Sequence, residues 1–236
     1  MAKLLWDQTG ERKYETGVDR GVLFPYDSST KAYGKGVAWN GLTGVTESPS
    51  GAEETKLYAD NGKYLSMRSA EEFGGTIEAY TYPDEWEACD GSASLIDGVV
   101  IGQQARSSFG LAYRTVVGND TKGDAYGYKL HLIYGATVSP SERAYATIND
   151  SPEAITFSWE FTTTPVDVGT IDDVEYRPTA VLTIDTTGLT GGTENAKLKQ
   201  LEAMLYGVDA DAEHQIEASD PTLPTPQQVY NLFNAA

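Results

Sequence analysis

The stretch "AITFSWEFTT", residues 154–163, alternates apolar and polar side chains almost without fault. Ile155, Phe157, Trp159 and Phe161 fall on one side, and Thr156, Ser158, Glu160 and Thr162 on the other. Side chains alternate across a sheet with a period of two, so the spacing predicts a half-buried strand with one oily face. The oily face belongs to a core. The polar face has to meet water, a partner, a ligand or a channel.

Similar patterns recur along the chain. In "YGYKLHLIY", Tyr126, Tyr128, Leu130, Leu132 and Tyr134 share a face opposite Lys129 and His131. "TIEAYTY" sets Thr76, Glu78, Tyr80 and Tyr82 against Ile77, Ala79 and Thr81, and "LAYRTVV" from Leu111 and "TAVLTID" from Thr179 read alike. Asn61-Gly62 predicts a two-residue hairpin turn, because both central residues of such a turn need positive φ. Many short strands at close spacing predict an antiparallel β-sandwich or barrel. Long connections are expected over 43–54, 83–98 and 165–176, and loops of that length usually carry contacts or function.

One segment breaks the pattern. "TENAKLKQLEAMLYG" predicts a flanking helix over 194–206, with Thr193 as its cap, Leu198, Leu201 and Leu205 on one face, and Gly207 as its stop. The expected layout is therefore a β domain over 1–207 that includes this helix. An acidic linker and a short docking segment would fill 208–236. Pro226 can open a short C-terminal helix, and Leu223, Val229, Leu232 and Phe233 are apolar enough to require a surface to bury against.

Composition narrows the function. A chain of 236 residues with 40% hydrophobic residues buries an ample core without staples. Its 35 acidic and 17 basic residues give a net charge of −18, which argues against gripping nucleic acid through phosphate neutralisation. The single Cys89 allows no intrachain disulfide. Only Leu4-Leu5-Trp6 is apolar near the start, and no run approaches the roughly 20 residues of a membrane helix. A cytoplasmic place of synthesis is expected.

The search for chemistry finds no phosphate-cradling glycine loop, no nucleophile elbow and no metalloprotease histidine pair. His131 reads as a hydrogen-bonded strand residue and Cys89 as a small buried thiol. Asp209, Asp211, Glu213, Gln215, Glu217 and Asp220 fall at calcium-loop spacing. However, His214 stands where the turn needs Gly, and Asp closes the loop in place of Glu. An acidic linker is the expectation there, with neither metal nor cofactor. Glu85 and Glu87 around Trp86 have the residue types of a glycosidase pair beside a sugar-stacking ring, but a loop-anchoring Trp86 is the simpler reading.

Several long segments in order carry a resemblance. They are "YETGVDRGVLFP", "GVAWNGLTGVTESPSGAEETKLYADNGKYL", "TIEAYTYPDEWEACDGS", "YGYKLHLIYGA", "SPEAITFSWEFTTTPV" and the closing "LPTPQQVYNLF". Together they resemble the major tail protein family of long-tailed, non-contractile phages and prophages of Gram-positive bacteria. The resemblance implies a non-enzymatic virion protein. Its subunits form rings, normally hexamers, that stack into a hollow tail tube assembled in the host cytoplasm. It also implies tape measure, tail terminator and distal tail proteins as partners, with DNA passing through the lumen unbound.

Under that reading Thr156, Ser158, Glu160, Thr162 and Glu78 are candidates for the lumen wall, although the sequence leaves the outer surface open for the same face. Glu47, Ser48, Pro49, Ser50, Gly51 and Ala52 are candidates for an inter-ring loop, and Leu223, Val229, Leu232 and Phe233 for C-terminal docking. The competing readings are a carbohydrate-binding β-sandwich that uses Trp86 and Tyr82, and a β-sandwich glycosidase that uses Glu85 and Glu87.

Overall fold

A computed structural model describes residues 3–148, 150, 153–189, 191–210 and 217–234. Among the described residues the chain is mainly β, with one large antiparallel sheet and three α-helices. It runs through the long β1 (Lys13–Asp27), then β2 (Ala32–Tyr33), β3 (Val37–Trp39) and β4 (Leu42–Glu47). Next come β5 (Ser50–Gly51), a hairpin of β6 (Glu54–Ala59) and β7 (Gly62–Arg68), β8 (Glu71–Glu72) and β9 (Gly74–Ala79). Helix α1 (Trp86–Asp90) leads into a second hairpin, β10 (Ala93–Ile96) and β11 (Val99–Ile101). The central strands β12 (Phe109–Asn119) and β13 (Gly123–Val138) are followed by β14 (Phe157–Thr163). Then come the small β15 (Thr170–Ile171) and β16 (Val174–Glu175), β17 (Val181–Asp185), α2 (Gly192–Tyr206) and α3 (Pro226–Asn234).

The main sheet runs β2-β1-β12-β13-β14-β9-β4, with β3 also on β1 and β17 also on β13. It curls, so that its distant ends meet. Leu42 of β4 comes within 3.0 Å of where a Cβ on Gly21 of β1 would stand. Inside the curl lies an aromatic core. Trp86 of α1 packs at ring-centroid distances of 4.5 Å from Trp39, 4.9 Å from Phe109 and 5.3 Å from Trp159. These tilted and edge-on geometries suit the ring quadrupoles and add to the area buried. On the outer side, Leu198, Leu201 and Leu205 of α2 pack against Leu130, Leu132 and Tyr134 of β13 and Val22 and Phe24 of β1.

Strand β13 serves both cores through its two faces, with Ile133 in the aromatic one, and Gly135 shifts its phase. Leu130, Leu132 and Tyr134 face α2, whereas Ala136 and Val138 face the aromatic core. Gly135 has φ +59°, and a Cβ there would lie 2.2 Å from the Thr164 carbonyl oxygen. A bulge at a residue free to adopt positive φ flips every later side chain to the opposite face.

Several expectations need correction. The strand predicted from Ile155 begins at Phe157, and Ile155 and Thr156 precede it, both exposed. Tyr82 does not share the polar face of Glu78 but packs on Phe157 and Trp159. The turn of the β6–β7 hairpin centres on Asp60-Asn61, both at positive φ, one residue earlier than expected. The 43–54 connection is largely strand: β4 pairs with β9, and β5 with β8. The cap of α2 is Gly191 rather than Thr193, without a side-chain capping bond.

Candidate functional site

On β14, Trp159 and Phe161 are buried in the aromatic core, while Glu160 and Thr162 are exposed and Ser158 is half-buried. The register with β9 places Ser158 opposite Glu78 and Glu160 opposite Thr76. The next pairing places Glu78 opposite Gly44 and Thr76 opposite Thr46 of β4. Ser158, Glu160, Thr162, Thr76, Glu78 and Thr46 thus share one polar face of a three-stranded ribbon. Thr156 lies just beyond its end.

The ribbon brings together two groups that are far apart in sequence. Ser48, Pro49 and Ser50 line a depression of about 340 Å3 together with Glu160 and Thr162. The Ser48 amide donates to the Gly74 carbonyl at 2.8 Å, and Ser50 and Gly51 pair with Glu72 and Glu71. Gly51 sits at φ +81° against the Ala70 carbonyl, so the segment's path is built in.

Glu47 does not belong to a loop. It ends β4, where it accepts a hydrogen bond from the Tyr113 hydroxyl at 2.6 Å. His131 stacks on Tyr113 with ring centroids 4.6 Å apart, and its Nδ1 stands 3.5 Å from Glu47 Oε1. On the other ring edge, Nε2 lies 3.0 Å from the Thr115 hydroxyl, which donates to Glu15, and Lys129 also donates to Glu15 at 2.6 Å. His131 and Tyr113 hold the Glu47 carboxyl below the usual carboxylate range. Lys129 and Thr115 do the same for Glu15. Burial, reinforced by Glu47, pushes the Tyr113 hydroxyl up. This network fastens β1, β4, β12 and β13 together near one end of the curl. Sequence reasoning missed it because 66 residues separate Glu47 from Tyr113.

Three elements expose apolar side chains that nothing among the described residues covers. Every residue of β6 and β7 is exposed, with Tyr58 at 69%, Tyr64 at 76% and Met67 at 53%. The β10–β11 hairpin exposes Leu95, Ile96, Val99 and Val100. Before β1, Leu4, Leu5 and Trp6 are exposed as well. Alternation in "KLYAD" and "KYLSM" signals strands but cannot say that both faces are open.

The C-terminal candidates dock within their own chain. Leu223 and Val229 are buried in the outer core, with Leu232 and Phe233 packed against it. The Tyr134 hydroxyl donates to the Pro224 carbonyl at 2.8 Å, and the Thr222 amide to the Met204 carbonyl at 2.7 Å.

The residues of the competing readings lie elsewhere. Trp86 is fully buried and offers no ring face to a sugar, while Tyr82 is half-buried, its ring set edge-on against Phe157 and Trp159. Cys89 is buried beside Trp86, and burial pushes its thiol up to about 12. Of the calcium-spaced residues, Asp211, Glu213, His214 and Gln215 fall outside the described residues. Among the described residues, no helix is long and apolar enough to cross a membrane. Compared with known protein families and with curated proteins, the chain matches none.

Proposed function

We propose that this chain is a tail-tube protein: a structural subunit that closes into rings, six to a ring by the family resemblance, which stack into a hollow tail for DNA ejection. The observation that carries the reading is the set of uncovered apolar elements, namely the β6–β7 and β10–β11 hairpins and the Leu4–Trp6 segment. A soluble monomer rarely leaves such surfaces bare, and large ones mark association sites. Where such an element seats on a different surface of the next copy the contact is head-to-tail, and contacts of that kind build rings or filaments.

The polar ribbon fits the wall of such a tube. Its inner face is core, and its outer face carries hydroxyls and the carboxylates Glu78 and Glu160. Duplex DNA carries one negative charge per roughly 1.7 Å of axis, so a basic wall would hold it through counterion release. A wall of hydroxyls and carboxylates leaves no such wells. Tape measure, terminator and distal tail proteins are the partners this role requires, and the virion tail is its destination.

Negative-stain microscopy of the purified protein at high concentration tests the reading. Rings or tubes with a continuous lumen are the expected result. A protein that stays monomeric at every concentration, or that binds glycans as a monomer, would overturn it.

A further inference from the structure

At the base of the β10–β11 hairpin, Arg106 has no ion-pair partner among the described residues, the nearby Asp90 being taken by Arg143. Arg106 is half-buried, with its Cζ 3.0 Å from where a Cβ on Gly91 would stand. Its Nε is buried with no acceptor, and among the described residues no ion pair or hydrogen bond involves its side chain. This is anomalous in a chain with 35 acidic and 17 basic residues. Arg114 has Asp19, and the neighbouring Arg143 has Asp90. Arg106 opens instead on a pocket of about 640 Å3, lined also by Ser92, Gln104, Ser141 and the Asp90–Arg143 pair, whose charges cancel and leave Arg106 as the pocket's net positive charge. Leu95 and Ile96, at 62% and 68% exposure, stand on the hairpin that rises from this pocket.

A matching element exists on the same chain but is not engaged there. Leu4, Leu5 and Trp6 are exposed and lead directly into Asp7. The Asp7 carbonyl accepts from Arg12 Nε at 2.9 Å, and the residue sits at φ +53°, which fixes a bend at this point. Its carboxylate has no hydrogen bond or ion pair among the described residues. The other exposed apolar arm, β6–β7, offers no unpaired carboxylate on its strands, since Glu54 is held by Lys63 and Lys56.

We propose that the pocket at the base of the β10–β11 hairpin receives the Leu4–Asp7 segment of a second copy, with Leu4, Leu5 and Trp6 on the apolar hairpin and the Asp7 carboxylate on Arg106. The inference rests on the assembly reading above and specifies one of its interfaces. Donor segment and acceptor pocket are different surfaces, so each copy gives to one neighbour and takes from another, as a ring or stack requires. Arginine suits the acceptor role because its planar fork can take a carboxylate in bidentate fashion.

The test is a charge exchange on the full chain, read by sedimentation velocity and negative-stain microscopy. Arg106→Glu and Asp7→Arg should each raise the concentration needed for assembly by at least about tenfold. The double variant should return to within about threefold of wild type. Arg106→Gln, which adds no charge and should melt like wild type, should weaken assembly in the same direction. Assembly of Arg106→Glu at the wild-type concentration would overturn the docking, as would a double variant no better than either single one; if Arg106→Glu does not fold, Arg106→Gln decides. Rings of normal yield from these variants would sink this interface alone. A wild-type chain that never assembles would sink the proposed function with it.

Discussion

Glu78 and Glu160 stand diagonally across the β9–β14 pairing, on the face turned away from Trp159. Ser158 is opposite Glu78 and Thr76 is opposite Glu160. Glu78 leans towards β4, its Oε2 3.3 Å from where a Cβ on Gly44 would stand. Like charges on neighbouring strands of one face cost a few tenths of a kcal/mol when exposed. A merely solvated face has less costly options, such as the threonines that surround these two residues.

Glu160→Gln should therefore leave the fold intact and raise the melting temperature slightly at low salt, with the gain fading as salt screens the pair. Glu160→Lys should still allow tubes to form but slow genome ejection, and added salt should relieve the slowing. Ejection at wild-type speed from normally assembled Glu160→Lys tails would place this face outside the channel.

Gly135→Ala should be among the most damaging single-methyl changes in the chain. The added Cβ meets the Thr164 carbonyl oxygen at 2.2 Å, and the backbone sits at φ +59°. The cost should be about 2 kcal/mol or more, measured by chemical denaturation. Losing the bulge would also turn Ala136 and Val138 away from the aromatic core. A Gly135→Ala protein with wild-type stability would show that the phase of β13 is set elsewhere.

How much of this was legible in the sequence depended on sequence distance. Alternation identified Trp159 and Phe161 as core and Ser158, Glu160 and Thr162 as the opposite face, because a period of two is a local signal. The leucines of α2 were equally plain at helical spacing. The Gly135 phase shift was not, since a single glycine in a strand pattern does not announce a bulge. The Glu47–Tyr113–His131 network was invisible for a different reason: it forms only after β4, β12 and β13 are brought together. The path of the 48–53 segment was also hidden, because Ser50 and Gly51 pair with residues that carry no strand pattern of their own.

Acid should loosen the end of the curl at which Glu47 and Glu15 sit. Both carboxyls titrate lower in the folded chain than in the unfolded one, through His131 and Tyr113 for Glu47 and through Lys129 and Thr115 for Glu15. The stability they supply is present above the unfolded carboxylate value, near about 4.3, and is lost as pH falls through the lower folded values. Glu47→Gln should cost about 1 kcal/mol at pH 7, allowing for solvent screening, and should flatten the fall in melting temperature between about pH 5 and 3. Parallel acid curves for variant and wild type would remove Glu47 from the account.

Truncation after Gly207 should leave a protein that folds poorly or aggregates. It strips Leu223 and Val229 from the outer core and removes the Pro224 carbonyl that takes the Tyr134 hydroxyl. Leu223→Ala alone should cost about 2 kcal/mol or more. A truncated chain with unchanged solubility and melting temperature would show that α2 covers the sheet unaided.

Replacing residues 55–67 with a short turn should separate folding from assembly. The β6–β7 hairpin contributes no buried residue to either core, and each of its residues is exposed. Its ladder runs from Glu54 opposite Arg68 to Ala59 opposite Gly62, so it is a formed arm that reaches out from the barrel. Removing it should leave the melting temperature within a few degrees of wild type, since surface changes that touch no core rarely move stability by more than about 0.5 kcal/mol. Assembly should fail, because Tyr58, Tyr64, Leu65 and Met67 supply apolar area that no other element replaces. Aromatic and methionine side chains of this kind dominate protein interfaces, and their loss acts mainly on the dissociation rate. Sedimentation at a fixed high concentration would read the outcome as monomer in place of rings. Tubes of normal length from the shortened chain would show that the arm serves a contact other than the one between copies.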